Sequence, residues 1–186
     1  ITRLGKPLPG LELRIVGIDT GQDLNAGERG EVWVRGYSLF EGYYKDPEKT
    51  AAQLDRDGWY HTGDVGSLDA DGAIMFHGRT KDMLKVGGEN VAAAEIESLL
   101  QTHSAVKLAQ VVGVPDPRLA EVPAAFVELQ AQSKATEAEL IDFCRQRIAG
   151  FKVPRYVRFV TEWPMSTSKI QKFRLRNQIL EELRIQ

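Results

Sequence analysis

Three stretches of this chain bring together residue types that can do chemistry. The first is residues 78–90, where Arg79, Lys81, Asp82 and Lys85 fall within the first eight positions and a Gly87-Gly88 pair follows. At such a pair the backbone can take a positive φ or approach a ligand closely. The apolar run 73–77 before it reads as a strand, and residues 91–103 after it read as a helix. A strand, a charged turn and a glycine pair ahead of a helix can hold an anion, because glycine-rich backbone and helix N-termini present N–H groups to phosphate. The same residues can equally form a surface hairpin with charged decoration.

The second stretch is Thr62-Gly63-Asp64, which ends the aromatic run Trp59-Tyr60-His61. A carboxylate beside glycine can accept hydrogen bonds from both hydroxyls of a ribose. Asp64 can also simply cap backbone N–H groups in a turn. Arg79 can pair with phosphate or ribose oxygens, or with Asp82 or Glu89 in a surface salt bridge of little energetic weight. Lys81 and Lys85 are four residues apart and would repel on one helix face, which weighs against a helical role for them. The third stretch, residues 164–172, is small, hydroxylated and loop-like, with Lys169 near its end. A lysine there can neutralise charge developing on a phosphate or carboxylate. Alternatively, its lysines only open the last helix.

The elements that must position these residues change character along the chain. Residues 1–78 read as mostly β, with strands at 11–16 and 31–35 and a short helix from Pro47 capped by Asp46. Residues 79–186 alternate helix and strand, which implies an α+β or α/β layer. Here Ile96, Leu99 and Leu100 share a helix face, and residues 106–113 and 124–129 read as strands. Thr136 to Glu139 is a capping box for a helix whose apolar face is Leu140, Phe143, Cys144 and Ile148 and which Gly150 ends. Residues 156–160 read as another strand, and Leu175, Ile179, Leu180 and Leu183 make the last helix amphipathic. The domain boundary is expected in the turn 78–81.

Composition narrows the field further. The chain has 186 residues, 42% hydrophobic and 27% charged, within the ordinary range for a globular protein. No apolar run reaches membrane-spanning length. The start, Ile1-Thr2-Arg3, lacks an initiator Met and reads as a fragment or a processed piece. The lone Cys144 leaves no internal disulfide and suits a reducing, cytoplasmic setting, with the thiol as buried filler. His61, His77 and His103 show no metal-ligand spacing, so no metal site is expected. Residues 151–186 carry eight Lys or Arg against three Glu, a net +5, which leaves −7 for the first 150 of a chain whose total is −2. A basic tail suits a nucleotide or coenzyme phosphate, or is a solvated helix face. It lacks the aromatic interleaving of a single-strand nucleic-acid binder.

Taken in order, these stretches resemble the AMP-forming adenylate ligase superfamily: acyl-CoA synthetases, peptide adenylation domains and beetle luciferase. The resemblance covers nearly the whole chain. It rests on Gly30-Glu31-Val32-Trp33-Val34-Arg35-Gly36, on Trp59-Tyr60-His61-Thr62-Gly63-Asp64, on residues 78–90 with Glu95-Ile96-Glu97, on Phe151-Lys152-Val153-Pro154 and on Lys169-Ile170-Gln171-Lys172. Each is weak alone, and five in order are specific. The resemblance implies an α+β fold. Residues 1–78 would end a large N-terminal domain, mainly its β-barrel, and residues 79–186 would form a small mobile C-terminal domain. It implies ATP and CoA as substrates, with Mg2+ required by the longer enzyme but no metal ligand in this chain. A carboxylic acid, a fatty acid by expectation, would be joined to AMP and then passed to the CoA thiol.

By the same resemblance, Thr62, Asp64 and Arg79 bind the nucleotide, with Asp64 on the ribose hydroxyls. Lys81 stands at the hinge position. Lys169 bridges carboxylate and α-phosphate in the first step, and Lys85 approaches the adenylate in the second. Gly87 and Gly88 line the passage of the CoA arm. Ser168 departs from the family, which usually has glycine before the catalytic lysine; a left-handed backbone there would be strained. The glycine- and hydroxyl-rich phosphate loop of these enzymes is absent from the chain, so the chain alone is expected not to catalyse adenylation. The Gly-Gly-Glu-Asn sequence at 87–90 favours CoA over a carrier protein as acceptor. The alternatives are a carrier-loading adenylation domain and a non-catalytic module binding CoA or a protein partner. Strand edges left by an incomplete barrel would invite self-association.

Overall fold

The computed structural model describes residues 2–185. The chain divides into two compact units, Ile1–Lys81 and Asp82–Gln186.

The first unit is an antiparallel sheet of β1 (Thr2–Gly5), β2 (Leu11–Val16), β3 (Gly30–Gly36), β4 (Tyr60–Leu68) and β5 (Ile74–Arg79), in the order β1-β5-β4-β3-β2. The alternation in the second strand becomes a ladder in which Leu11 faces Gly36 and Val16 faces Glu31. Ile15 lies opposite Val32 on one face, while Val16 and Val65 lie either side of Glu31 on the other, so both faces of the sheet carry buried residues. α1 (Pro47–Gln53) starts as its sequence dictates: the Asp46 side chain accepts from the Lys49 N–H, and proline occupies the first turn.

A second sheet organises the other unit. Its long hairpin pairs β8 (Val106–Asp116) with β9 (Ala120–Leu129). β10 (Tyr156–Phe159) adds to β9 in parallel, and β6 (Met83–Val86) joins β9 through the Val86–Ala120 pair. β7 (Glu89–Ala92) completes the order β10-β9-β6-β7. The fold is thus mixed α and β, with two predominantly antiparallel sheets. α2 (Ala93–Leu100) and α3 (Glu137–Arg145) pack on a core that contains Ile96, Leu100, Leu140, Cys144 and Val127. α4 (Lys172–Leu183) covers a second cluster through Leu175 and Ile179, against Phe126 and Val114. The capping box forms as expected: Thr136 Oγ1 accepts from the Glu139 N–H, and the Glu139 carboxylate accepts from the Thr136 N–H.

Two expectations are corrected here. Residues 91 and 92 belong to a strand, and the helix that follows spans only Ala93–Leu100. Val91 and Ala92 are both buried although they point to opposite faces of β7, so hydrophobicity alone blends them into the helix. Gly150 does not end the third helix, which stops at Arg145 with Gln146 as its cap; Gly150 opens a separate 3-10 turn.

Candidate functional site

Strand register builds the first half of the site. β4 and β5 place Asp64 opposite Arg79, with a bulge beside them between Val65 and Gly66. Arg79 Nε donates to Asp64 Oδ1 at 2.7 Å, and its Nη2 donates to the Thr62 carbonyl at 3.2 Å. Thr62 is fixed in turn, because its Oγ1 donates to the Val32 carbonyl at 2.7 Å and accepts from the Asp64 N–H at 3.0 Å. Gly63 between them has φ of +69°, and a Cβ there would meet nothing within 4 Å. Its N–H donates to Glu31 Oε1 at 2.8 Å, while Glu31 Oε2 accepts from the Trp33 indole at 3.0 Å. The three residues expected to bind nucleotide are therefore one hydrogen-bonded knot. Arg79 pairs with Asp64, not with Asp82 or Glu89, because the ladder sets the two side by side.

This knot borders a cleft of about 590 Å³ within the first unit, lined by Glu31, Tyr43, Lys49, Gln53, Tyr60, Thr62, Gly63, Arg79, Thr80 and Lys81. Asp64 is not itself a lining residue, but it is bound to one. Its Oδ2 has no protein donor among the described residues. Lys49, Arg79 and Lys81 bring three cations to the wall against one carboxylate, Glu31, so the cleft favours an anion. The lining is also aromatic, with the Lys49 ammonium 4.1 Å from the centre of the Tyr43 ring. Tyr43 and Tyr60 share a hydroxyl contact at 3.2 Å, both hydroxyls reach the Gln53 side chain, and Phe40 packs edge-on against both rings. The Tyr60 phenol is raised above its ordinary range, first by its hydrogen bond with Tyr43 and then by burial. Sequence reasoning had Glu31 inside a quoted motif but gave it no role. It missed Tyr43, Lys49 and Gln53, whose types carry no spacing signal.

The remaining expected residues lie on a β-hairpin and a loop of the second unit. Gly87 and Gly88 have φ of +61° and +88° and form a two-residue connection between β6 and β7. The pair is thus a hairpin tip, and a whole strand separates it from α2; it is not the lead-in to a helix N-terminus. The Gly87 N–H donates to the Leu119 carbonyl at 2.8 Å, and a Cβ on Gly87 would come within 3.2 Å of Leu119 Cδ2. A Cβ on Gly88 would meet nothing within 4 Å. Lys85 is exposed on the same hairpin, paired with Asn90.

Lys169 sits on the loop. The Ser166 N–H and Oγ both donate to the Lys169 carbonyl, at 2.8 and 3.0 Å, and Met165 bridges to Ile170. The Gln171 N–H closes the base of the loop on the Pro164 carbonyl at 2.8 Å. The Lys169 side chain is exposed, with no ion-pair partner among the described residues. Ser168 is not among the residues with positive φ, so the strain that glycine would relieve does not arise. Among the described residues no three His, Cys, Asp or Glu side chains gather in a way that could hold a metal ion. No helix is long and apolar enough to cross a membrane.

Known proteins resemble this chain in sequence and fold. Residues 1–44 match the family described as AMP-binding enzyme, and residues 95–169 match the AMP-binding enzyme C-terminal domain. The rat mitochondrial medium-chain acyl-CoA ligase ACSF2 is 41% identical over 183 residues, which is 98% of this chain and 30% of the relative. The putative acyl-CoA synthetase YngI of Bacillus subtilis (strain 168) is 44% identical over 178 residues, covering 95% of this chain and 32% of that protein. Among solved structures, ATP-bound MatB from Rhodopseudomonas palustris superposes with a TM-score of 0.89 at 34% identity, covering 97% of this chain and 36% of MatB. The chain belongs to the AMP-forming adenylate ligase superfamily, and within it is most like the acyl-CoA synthetases. It spans about 30% of the length of the curated relatives it matches.

Proposed function

We propose that this chain is the C-terminal part of an ATP-dependent acid–CoA ligase, which activates a carboxylic acid, a fatty acid, as its acyl adenylate and passes it to CoA. The observation that carries this reading is the Thr62–Asp64–Arg79 knot on a cationic, aromatic-walled cleft. In this reading Asp64 keeps one carboxylate oxygen on Arg79 and offers the other to the ribose hydroxyls of ATP. Arg79 remains on the wall for the same nucleotide. Residues 1–78 are the end of the barrel of the large domain, and residues 79–186 are a mobile lid hinged at Lys81.

Lys169 balances the charge that builds as carboxylate oxygen attacks the α-phosphorus and pyrophosphate departs. The thiol of CoA then attacks the acyl carbonyl and AMP leaves, with Lys85 near the adenylate and the bare tip Gly87-Gly88 leaving room for the pantetheine arm. Mg2+ would travel on the ATP phosphates. The described residues gather no ligand set for it, and no residue role here depends on it. The phosphate loop of the family is not in this sequence, so the 186-residue chain is inactive alone. The lone buried thiol suits a cytoplasmic enzyme.

Carboxylate-dependent ATP–pyrophosphate exchange tests the reading, scanned from acetate to long-chain and aryl acids. It is measured on this chain and on a full-length ligase containing it. Activity is expected only in the longer protein, strongest with fatty acids. Exchange by the chain alone would refute the inactivity, and silence from both would leave a CoA- or partner-binding module as the better account.

A further inference from the structure

α4 begins against the usual electrostatic preference. Its first residue is Lys172, its first turn holds no acid, and its N-cap, Gln171, makes no side-chain cap. A cation at a helix N-terminus is disfavoured by the macrodipole, so something else must hold Lys172 there. Its ammonium donates to Glu97 Oε1 at 2.6 Å and lies 3.9 Å from Asp82 Oδ2. Glu97 is one of two buried polar or charged residues among those described, and its Oε1 also accepts from the Val111 N–H of β8 at 2.8 Å. The side chains are sheltered: 22% exposed for Lys172, 12% for Glu97 and 28% for Asp82. One ammonium therefore joins α2, β8, the start of α4 and the first residue of the second unit.

Lys172 lies three residues beyond Lys169, at the exit of the Lys169 loop. The base of that loop is held by backbone groups, the Gln171 N–H on the Pro164 carbonyl. At its entry the Trp163 indole donates to Glu128 of β9 at 2.7 Å, and at its exit the side-chain anchor is the Lys172–Glu97 pair, which reaches α2 and, through the Val111 N–H, β8. We propose that Lys172 is a positioning residue: with Glu97 and Asp82 it fixes the exit of the Lys169 loop relative to the segment following Lys81, so that Lys169 is presented in one register for the adenylation step. This inference rests on the role given to Lys169 under the proposed function. The neighbouring pair Lys152–Glu95, at 2.7 Å, holds the 3-10 turn Gly150–Lys152 on the same helix but does not touch the loop. It therefore serves as an internal comparison.

Two measurements test the proposal. The first uses the 186-residue chain and reads amide hydrogen exchange in Lys172→Met, Lys172→Arg and Lys152→Met. Lys172→Met is expected to raise exchange across residues 164–171 at least tenfold, while β9 keeps its protection. Lys172→Arg is expected to restore the loop, and Lys152→Met to leave it unchanged. Unchanged exchange in the loop, or equal loss of protection throughout the unit, overturns the proposal. Should Lys172→Met fail to fold, Asp82→Asn is read the same way, with a smaller rise expected and no rise counting against it.

The second measurement uses the full-length ligase and separates its half-reactions. Lys172→Met is expected to slow ATP–pyrophosphate exchange tenfold or more in kcat with KM for ATP unchanged. Transfer from preformed acyl adenylate to CoA should fall by less than threefold. Equal loss in both overturns the positioning role. Lys169→Ala is run beside it: if that variant retains full exchange, the proposed function fails, whatever the loop measurement gives.

Discussion

The two units hold their candidate residues in opposite ways. In the first, Thr62, Asp64 and Arg79 are bonded to one another and to Val32 across three adjacent strands. In the second, Gly87, Gly88 and Lys169 sit at exposed turn tips and Lys85 on the exposed side of the β6 strand, while the charged groups Glu95, Glu97, Lys152 and Lys172 are paired and partly buried. The first arrangement suits a ligand held in one pose, because its donors and acceptors are placed before the ligand arrives. The second suits groups that must be delivered: a bare tip carries little side chain to desolvate, while a stiff base limits where the tip can point.

The largest expected effect lies at a tip. In a full-length ligase, Lys169→Ala should lower ATP–pyrophosphate exchange by about 10²- to 10³-fold, the range for removing one preorganised charge or donor at a reacting oxyanion. The melting temperature should scarcely move, since the side chain is exposed and unpaired among the described residues. A stability loss as large as the activity loss would mean that the tip is structural and would dissolve the contrast between the units.

The knot should respond differently. Asp64→Asn and Arg79→Met are each expected to raise KM for ATP roughly tenfold in the full-length ligase, worth about 1.4 kcal/mol. Stability should change by less than about 1 kcal/mol, because the pair is 39–42% exposed and solvent screens it. The double variant should cost less than the sum of the singles, since either change already removes the shared hydrogen bond. Full additivity in binding would show that the two side chains act on the nucleotide separately.

How much of this was legible depends on whether a residue's role is local. The second strand, the Asp46-capped helix and the Thr136 capping box follow from alternation and capping chemistry, and each forms as the sequence predicts. The hairpin at Gly87 was one of two readings, and neither periodicity nor composition decides between them. What decides is the docking of Val86 beside Ala120, more than thirty positions on. The Asp64–Arg79 pair depends on strand register, so the sequence offered Asp82 and Glu89 as nearer partners for the arginine. The Lys172–Glu97 contact spans 75 positions and was invisible for the same reason, although both residues stood inside quoted motifs.

The glycine tip offers a finer test of the delivery idea. Gly87→Ala and Gly88→Ala both place a side chain on left-handed backbone, at a cost of about 1–2 kcal/mol each. They differ in space, because the new Cβ meets Leu119 only at Gly87. Gly87→Ala should therefore be the more destabilising in thermal melts of this chain. If a thiol arm passes the tip, Gly88→Ala should slow transfer to CoA more than its stability cost explains, while leaving ATP–pyrophosphate exchange alone. Equal slowing of both half-reactions would make the tip a folding device.

The smallest effect concerns the base on which the tips stand. Cys144 is fully buried on α3, and burial pushes its thiol up to about 11. A raised thiol pKa means that the folded state favours the protonated form. That contribution to stability is complete below the ordinary thiol range and is lost as pH rises towards 11. At pH 8 the thiol is therefore protonated and enclosed, and alkylation must wait for the second unit to open. Alkylation at pH 8 should follow the rate of global opening of that unit, and Lys172→Met should accelerate it far less than it accelerates exchange in residues 164–171. Matching acceleration would mean that loop and core open together, and that the second unit does not divide into a firm base with deliverable tips.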